Sequence, residues 1–448
     1  MIMEINEFQK LVLLKAKEDG FEDCEIYYQG GDSFQILIND GKVEHYEKST
    51  ASGAAFRGVI NGKTGLAYSE RMDERAADFM VRAAAENAEI AEKDDSGEFY
   101  AGGKYAKLSL YNKELDKVSA EDKIMKAKQT EKAALDFSDN IKSADRCIYA
   151  DENSRVSIMN TKGLAAEYSA NSMAAFVSVI SEKDGDIKTG GEFFAGNDFG
   201  KFEPDELGKK AALEADSMLG AKPVKSGIYN VIFKNTAMAS ILSVFSSSFT
   251  GEQVYKGLSM MAGREGKKIA ADCVTIKDDG LLENGYATAV FDGEGVPCQN
   301  KTVVENGVLK TLLYDLKYAS KMGKQSTGNG FRSGFKSPVV CSCTNFYICP
   351  SDKSFEQLVR DMGDGIYITN VEGLHAGANP VSGDFSLSAE GFLIENGNIT
   401  RPVEQITAAS NFFKLLESIK DIGDDLRFNM GGIGSPAVLV ENINISGL

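Results

Sequence analysis

The stretch Ser119–Phe137, SAEDKIMKAKQTEKAALDF, opens the second copy of a pattern that this chain writes twice. Ser119 and Asp122 stand in the S-x-x-D arrangement of a helix cap, ahead of a run at helical spacing. Downstream, Ser143–Tyr149, Val156–Met159, Leu164–Ile180 and Thr189–Phe194 read as extended, and Pro204 at a helix start leads into Glu206–Leu219. Upstream the same order already occurs. Residues 1–19 interleave Phe8, Leu11, Val12, Leu14 and Lys15 as an amphipathic helix. Cys24–Tyr28 and Ser33–Glu47 read as extended, and Asn61-Gly62 is a hairpin turn. Asp73–Ile90, with Ala76, Ala77, Met80, Ala84 and Ala88 behind an aspartate cap, is a closing helix. Each copy, about 5–90 and 119–220, is thus expected to be helix, antiparallel meander, helix. The glycine-containing stretch 93–113 between them reads as connection rather than core.

Pro223–Gly227 breaks the chain again, which divides it into an N-terminal α/β domain, 1–222, and a β-rich C-terminal domain, 223–448. Asn284-Gly285, Asn306-Gly307 and Asn396-Gly397 are hairpin signals, because both residues of such a pair tolerate positive φ. Helices are expected at Thr236–Ser247, Phe355–Met362 and Ala408–Ile419. The class is therefore α+β, with an antiparallel sheet or barrel in the second half and no doubly wound nucleotide fold.

Forty-nine basic against sixty-six acidic side chains leave a net charge of −17, a field that repels phosphate backbones and anionic lipid. Nucleic acid and membrane are not expected partners. The first helix has no basic n-region before an apolar core, so no signal peptide is expected, and the apolar stretch Met173–Ile180 is far shorter than a membrane span. Seven cysteines, an odd number, suit reduced thiols in the cytoplasm. Cys341, Cys343 and Cys349 could offer three thiolates to zinc, but no fourth ligand is near, and burial is the favoured reading.

The chain has two histidines, His45 and His375, 330 positions apart. A zincin needs two imidazoles on one helical face, so this chain cannot build that site alone. No G-x-S-x-G elbow supports a serine triad. Gly58–Thr64 approaches a phosphate loop but has one residue too few between its glycines and lies in a hairpin, where a phosphate loop must run into a helix. Two glycine-rich polar segments remain. Phe291–Pro297 carries Asp292, Gly293, Glu294 and Gly295, either a solvated turn or a place where another backbone approaches closely. His375–Asp384 carries an imidazole and a carboxylate, either hydrogen-bonded in place or available to a ligand.

The order and spacing of Asp292–Pro297, Glu305-Asn306-Gly307, Ser326–Gly330 with Asn329, Gly363–Ile366, Ser382–Ser386 with Asp384, and Gly391–Gly397 resemble the TldD/PmbA proteins, also labelled modulators of DNA gyrase and peptide maturation proteases. The resemblance extends over essentially the whole chain. It implies, for the catalytic TldD branch, an HExxxH helix with two zinc ligands and a third ligand from a cysteine near the carboxyl end. Here the matching helix reads Leu242-Ser243-Val244-Phe245-Ser246-Ser247, with leucine and serine at the ligand positions, and Met430–Ser435 has no cysteine. Those departures resemble the PmbA (TldE) branch. They imply no metal or other cofactor on this chain, zinc on a TldD-like partner, a heterodimer that trims small unfolded peptides, and no catalytic residue of its own. Asp292, Gly293, Glu294, Gly295, Asn329, His375 and Asp384 are then expected to contact peptide or partner. Two alternatives stay open: a stand-alone homodimer that binds peptides, and a hydrolase using Asp292, Glu294, His375 or Asp384 as metal or proton-transfer groups.

Overall fold

The expected caps are made. The Asp73 carboxylate accepts the Ala76 N–H at 2.9 Å, and the Ser119 hydroxyl accepts the Asp122 N–H at 3.1 Å. The structure, a computed structural model, describes residues 3–92 and 98–448. Its first half runs α1 (Ile5–Glu18), β1 (Asp23–Asn39), β2 (Lys42–Ile60), β3 (Lys63–Ser69), α2 (Glu74–Ile90), then α3 (Ala120–Leu135), β4 (Ile141–Asn160), β5 (Ala165–Lys183), β6 (Asp186–Gly196) and α4 (Pro204–Ser217). The six strands form one antiparallel sheet in the order β3-β2-β1-β4-β5-β6. Two meanders are therefore joined back to back through β1 and β4, with Ile26 opposite Met159 and Ile38 opposite Cys147.

Each copy buries its own apolar face. Phe8 and Val12 of α1 pack with Ile26, Phe56 and Met80, while Ile36, Tyr149 and Val177 pack with Ala127 of α3 and Ala211 of α4. Close approach of the closing helix uses the same device twice. A Cβ on Gly65 of β3 would stand 1.8 Å from the Ala84 carbonyl of α2, and one on Gly190 of β6 would stand 2.3 Å from the Ala215 amide of α4.

Two local readings are corrected. Ser33–Glu47 is not one extended run, because the chain reverses at Asp40-Gly41, both at positive φ (49° and 68°); Cys24–Tyr28 continues without a break into the first of the two strands. Of the stretch 93–113, residues 93–97 lie outside the described residues, and the remainder is packed rather than a free connection. Phe99 is buried under the Arg57 guanidinium, 4.6 Å from its ring centroid, and the Tyr105 hydroxyl donates to the Gly295 carbonyl at 2.8 Å.

The second half runs β7 (Gly227–Phe233), α5 (Asn235–Phe245), α6 (Gly251–Tyr255), β8 (Ile276–Asp279), β9 (Asn300–Glu305), β10 (Val308–Leu309), α7 (Leu316–Lys321), β11 (Gly330–Phe331), β12 (Val340–Cys341), β13 (Phe346–Ile348) and α8 (Phe355–Met362). It continues with β14 (Gly365–Glu372), α9 (Leu374–Gly377), β15 (Asp384–Glu395), β16 (Asn398–Asn411), α10 (Phe412–Glu417), β17 (Ile419–Ile422), β18 (Arg427–Phe428), β19 (Ile433–Ser435) and β20 (Val438–Ser446). Five strands close a barrel in the order β16-β15-β14-β7-β20, the last pairing back onto β16 through Thr407–Ala409. A second sheet has the order β10-β9-β8-β13-β19-β18. Pairing is antiparallel apart from β7 with β14 and β13 with β19.

Asn306-Gly307 and Asn396-Gly397 form the expected two-residue hairpins with both φ positive. Asn284-Gly285 does not. Only Asn284 has positive φ, and the pair lies in an irregular segment held by the Asn345 side chain. The helix expected over Ala408–Ile419 is also corrected: residues to Asn411 complete β16, and Asn411 then caps a helix of six residues. Ala408 faces the barrel core at a strand's period of two, a pattern that a short apolar run does not separate from a helical one.

The two halves are locked by the tip of the β11–β12 hairpin. Phe335 enters a notch in the first sheet that exists because residue 53 is glycine, where a Cβ would stand 2.3 Å from the ring, and Lys336 pairs with Glu70.

Candidate functional site

α5 places the expected ligand positions. Ala237, Met238, Ile241, Leu242 and Phe245 recur at helical spacing and drive one face into the core, where Phe245 stacks on Phe412 at 4.5 Å. The helix packs on β19 and β18, so the glycine-rich Met430–Ser435 hairpin faces it. The two segments that the resemblance pairs are thus neighbours in space. Leu242 is fully buried among apolar side chains, and Ser243 and Ser247 are half-buried. The Ser243 carbonyl accepts the Ser246 hydroxyl, the Ser247 carbonyl accepts the Thr250 hydroxyl, and the Ser248 hydroxyl donates to the Pro380 carbonyl.

A zinc ion does not fit this donor set. Leucine offers no lone pair and neutral serine is a poor ligand. Shifting the frame by one, to Ser243, Val244 and Ser248, brings no better donor. The thiol beside the helix, Cys343, contacts the Ser246 carbonyl at 3.8 Å, and burial holds its pKa far above the usual range, so it stays protonated. Cys341 turns instead to the Leu313 carbonyl at 3.2 Å. Among the described residues, no three His, Cys, Asp or Glu side chains converge as metal ligands.

The Asp292 loop has a different environment from the open turn its composition suggested. Asp292, Gly293, Glu294, Gly295 and Asn329 are all buried, Asp292 and Glu294 each being 1 % exposed. Asp292 accepts N–H bonds from Glu294 (2.9 Å), Val296 (3.0 Å) and Gly330 (2.9 Å). Glu294 accepts the Leu316 N–H at 2.8 Å and lies 3.8 Å from the Arg57 guanidinium. Arg332 donates to the Gly293 carbonyl and to Glu25 of β1, both at 3.0 Å, and its guanidinium lies over Tyr27. Asn329 spends both ends of its amide, accepting from Lys301 and Thr327 and donating to Asp278 and the Ser342 carbonyl. Glu294, through Arg57, and Gly295, through Tyr105, join the two halves, whereas Asn329 is bonded within the second half, and all five are closed to solvent. Burial pushes the Asp292 and Glu294 carboxyls up; the three amides pull Asp292 back towards the ionised form, and its charge raises Glu294 further.

Glu25, Arg57 and Arg332 were not singled out from the sequence. One signal was available: Glu25 interrupts an otherwise apolar run, Cys24–Tyr28, where a charge is tolerated only if paired. His375 in α9 and Asp384 at the start of β15 are exposed on either side of the Pro380 turn, which accepts the Ser248 hydroxyl just beyond α5, so they lie near α5. Hydrogen bonds from Asn411 and Ser382 hold the Asp384 carboxyl below its ordinary range.

Comparison with known proteins agrees with this geometry. Residues 24–88 match PmbA/TldA metallopeptidase domain 1, 113–219 the central domain and 226–447 the C-terminal domain. The chain is 32 % identical to a candidate modulator of a DNA gyrase from Thermotoga maritima, whose crystal structure superposes with a TM-score of 0.92 over 99 % of this chain and 100 % of that one. It is 26 % identical to the metalloprotease PmbA of Escherichia coli, over 98 % of this chain and 94 % of that protein. TldE from Thermococcus kodakarensis shares the fold, with a TM-score of 0.91 at 22 % identity, covering 98 % of this chain and 100 % of that one.

Proposed function

We propose, from the premise that the chain belongs to the PmbA/TldD metallopeptidase family, that it is the subunit without a catalytic metal in a two-subunit complex that trims small unfolded peptides. One observation carries this reading: α5 and the Met430–Ser435 hairpin meet face to face, yet Leu242, Ser243 and Ser247 stand at the ligand positions. A zinc-bearing partner of TldD type supplies the hydrolytic chemistry. This chain supplies walls and strand edges. The Lys42–Ala51 run of β2 pairs with β1 alone, because β3 covers only Ala54–Ile60, and all ten of its residues are exposed. Its outer edge presents unpaired N–H and C=O groups that can hold an extended chain by its backbone, whatever its sequence. The buried Asp292 cluster ties the sheet carrying that edge to the second half.

The hydrolase reading loses its first two groups, since Asp292 and Glu294 are closed to solvent. No helix among the described residues is long and apolar enough to cross a membrane, and seven unpaired cysteines favour the reducing cytoplasm as the place of action. The test is to purify the chain with an HExxxH paralogue and follow cleavage of an unfolded peptide. Cleavage is expected to need both chains, with zinc on the paralogue only. A rate unchanged when this chain is omitted would overturn the role.

A further inference from the structure

One end of the first sheet's face turned away from α3 and α4 is packed under Phe291 and Phe335, and the rest, with the segment at Ser109 and Leu110 and with the second half, bounds a cleft of about 800 Å³. Gln35, Ala150 and Ala174 stand side by side across β1, β4 and β5 on its floor, alternating with Ile36, Tyr149 and Ala175, which face the helices. The two alanines of that row leave room for another main chain beside Gln35. The opposite wall is the segment Asn284–Thr288 together with Met430. Met430 is the tip of the hairpin whose strands pack on α5, so the wall opposite the sheet continues into the segment that covers that helix.

Its polar lining is one-sided. Glu47, Glu152 and Asp198 face a single lysine, Lys201, while the further carboxylate, Asp151, is already held by Lys123 at 2.6 Å. Among the described residues, Glu152 makes no ion pair, Glu47 has only the exposed His45 at 3.3 Å, and Asp198 accepts only the Gly200 N–H at 2.9 Å. Three acids to one base exceeds the ratio of the whole chain, sixty-six to forty-nine. Tyr168, Phe194 and Tyr286 add aromatic faces suited to alkyl stems and cations.

We propose that this cleft receives an unfolded peptide carrying lysine or arginine side chains, so that the subunit selects cationic peptides for the complex. The inference rests on the peptide-handling role above and adds the substrate class. Three partly exposed carboxylates in a half-open cleft give a modest preference, on the order of ten-fold, steered at longer range by the chain's negative field.

Binding to the purified chain, without any partner or cleavage, tests it. The probes are a short unstructured Gly-Ser peptide carrying lysines and its counterpart carrying glutamates, followed by fluorescence anisotropy. The lysine peptide is expected to bind roughly ten-fold more tightly, the preference to fade with added salt, and the combined Glu47→Gln, Glu152→Gln, Asp198→Asn protein to lose it while keeping its melting temperature. No binding of either peptide, equal affinity for both, or a preference unchanged in that variant overturns the assignment. These outcomes leave the subunit role standing. Cleavage that proceeds without this chain would instead sink the role and leave the binding result intact.

Discussion

Burial pushes both carboxyls of the Asp292–Glu294 pair up, and of the two Glu294 is the better place for a proton. Glu25 and Asp292 already balance Arg57 and Arg332, so an ionised Glu294 would add an unmatched charge where Glu25 Oε2 and two nitrogens of Arg57 have no hydrogen-bond partner. Asp292, holding three amide donors, is the better place for the negative charge. Burial first, and then the charge on Asp292, raise the Glu294 carboxyl above its ordinary value. A carboxyl raised in the folded state contributes stability fully below its unfolded pKa, about 4.3. That contribution is lost as pH rises through the raised value. The loss runs between the unfolded value and about 8, so melting temperature is expected to fall as pH rises across neutrality and to level off above it. Glu294→Gln, which keeps the shape and removes the titration, should flatten that fall and cost no more than about 1 kcal/mol near neutral pH. A slope across neutrality that survives the substitution would place the proton elsewhere.

At the scale of elements, the duplication extends to the contacts that close each copy. Gly65 lets α2 lie against β3, and Gly190 lets α4 lie against β6, in both cases with helix backbone at the place a Cβ would occupy. Backbone cannot swing aside as a side chain can. Either Gly→Ala change is expected to cost about 1–3 kcal/mol, and the two should add, because they act on separate cores. Thermal or urea unfolding checks both; a neutral Gly65→Ala would mean that α2 is free to shift. Caps such as Asp73 and Ser119 were legible because the signal and its partner lie within one turn. Asp40-Gly41 is an equally local hairpin signal, masked by the long β-rich run on either side of it. Ala408–Asn411 was misread because its apolar residues fit both periods, and only pairing with β15 and β20 selects the strand.

At the scale of the whole molecule, no three metal-binding side chains converge among the described residues, and a chelator is expected to leave the isolated chain unaffected. Melting with and without EDTA should coincide, and a depressed melting temperature in EDTA would reveal a structural metal. What the sequence by itself determined is what depends on neighbours along the chain or on simple absence: the repeated helix–meander–helix order, the α+β class, and the lack of two imidazoles on one helix. Only the tertiary structure decided what the Asp292 loop does. Its partner Arg57, and Glu25, which reaches it through Arg332, come from strands more than two hundred residues earlier, and no local pattern says whether such a glycine-rich acidic loop meets water or an arginine. The loop was folded inward because paired charges and amide donors at that junction repay its loss of solvent.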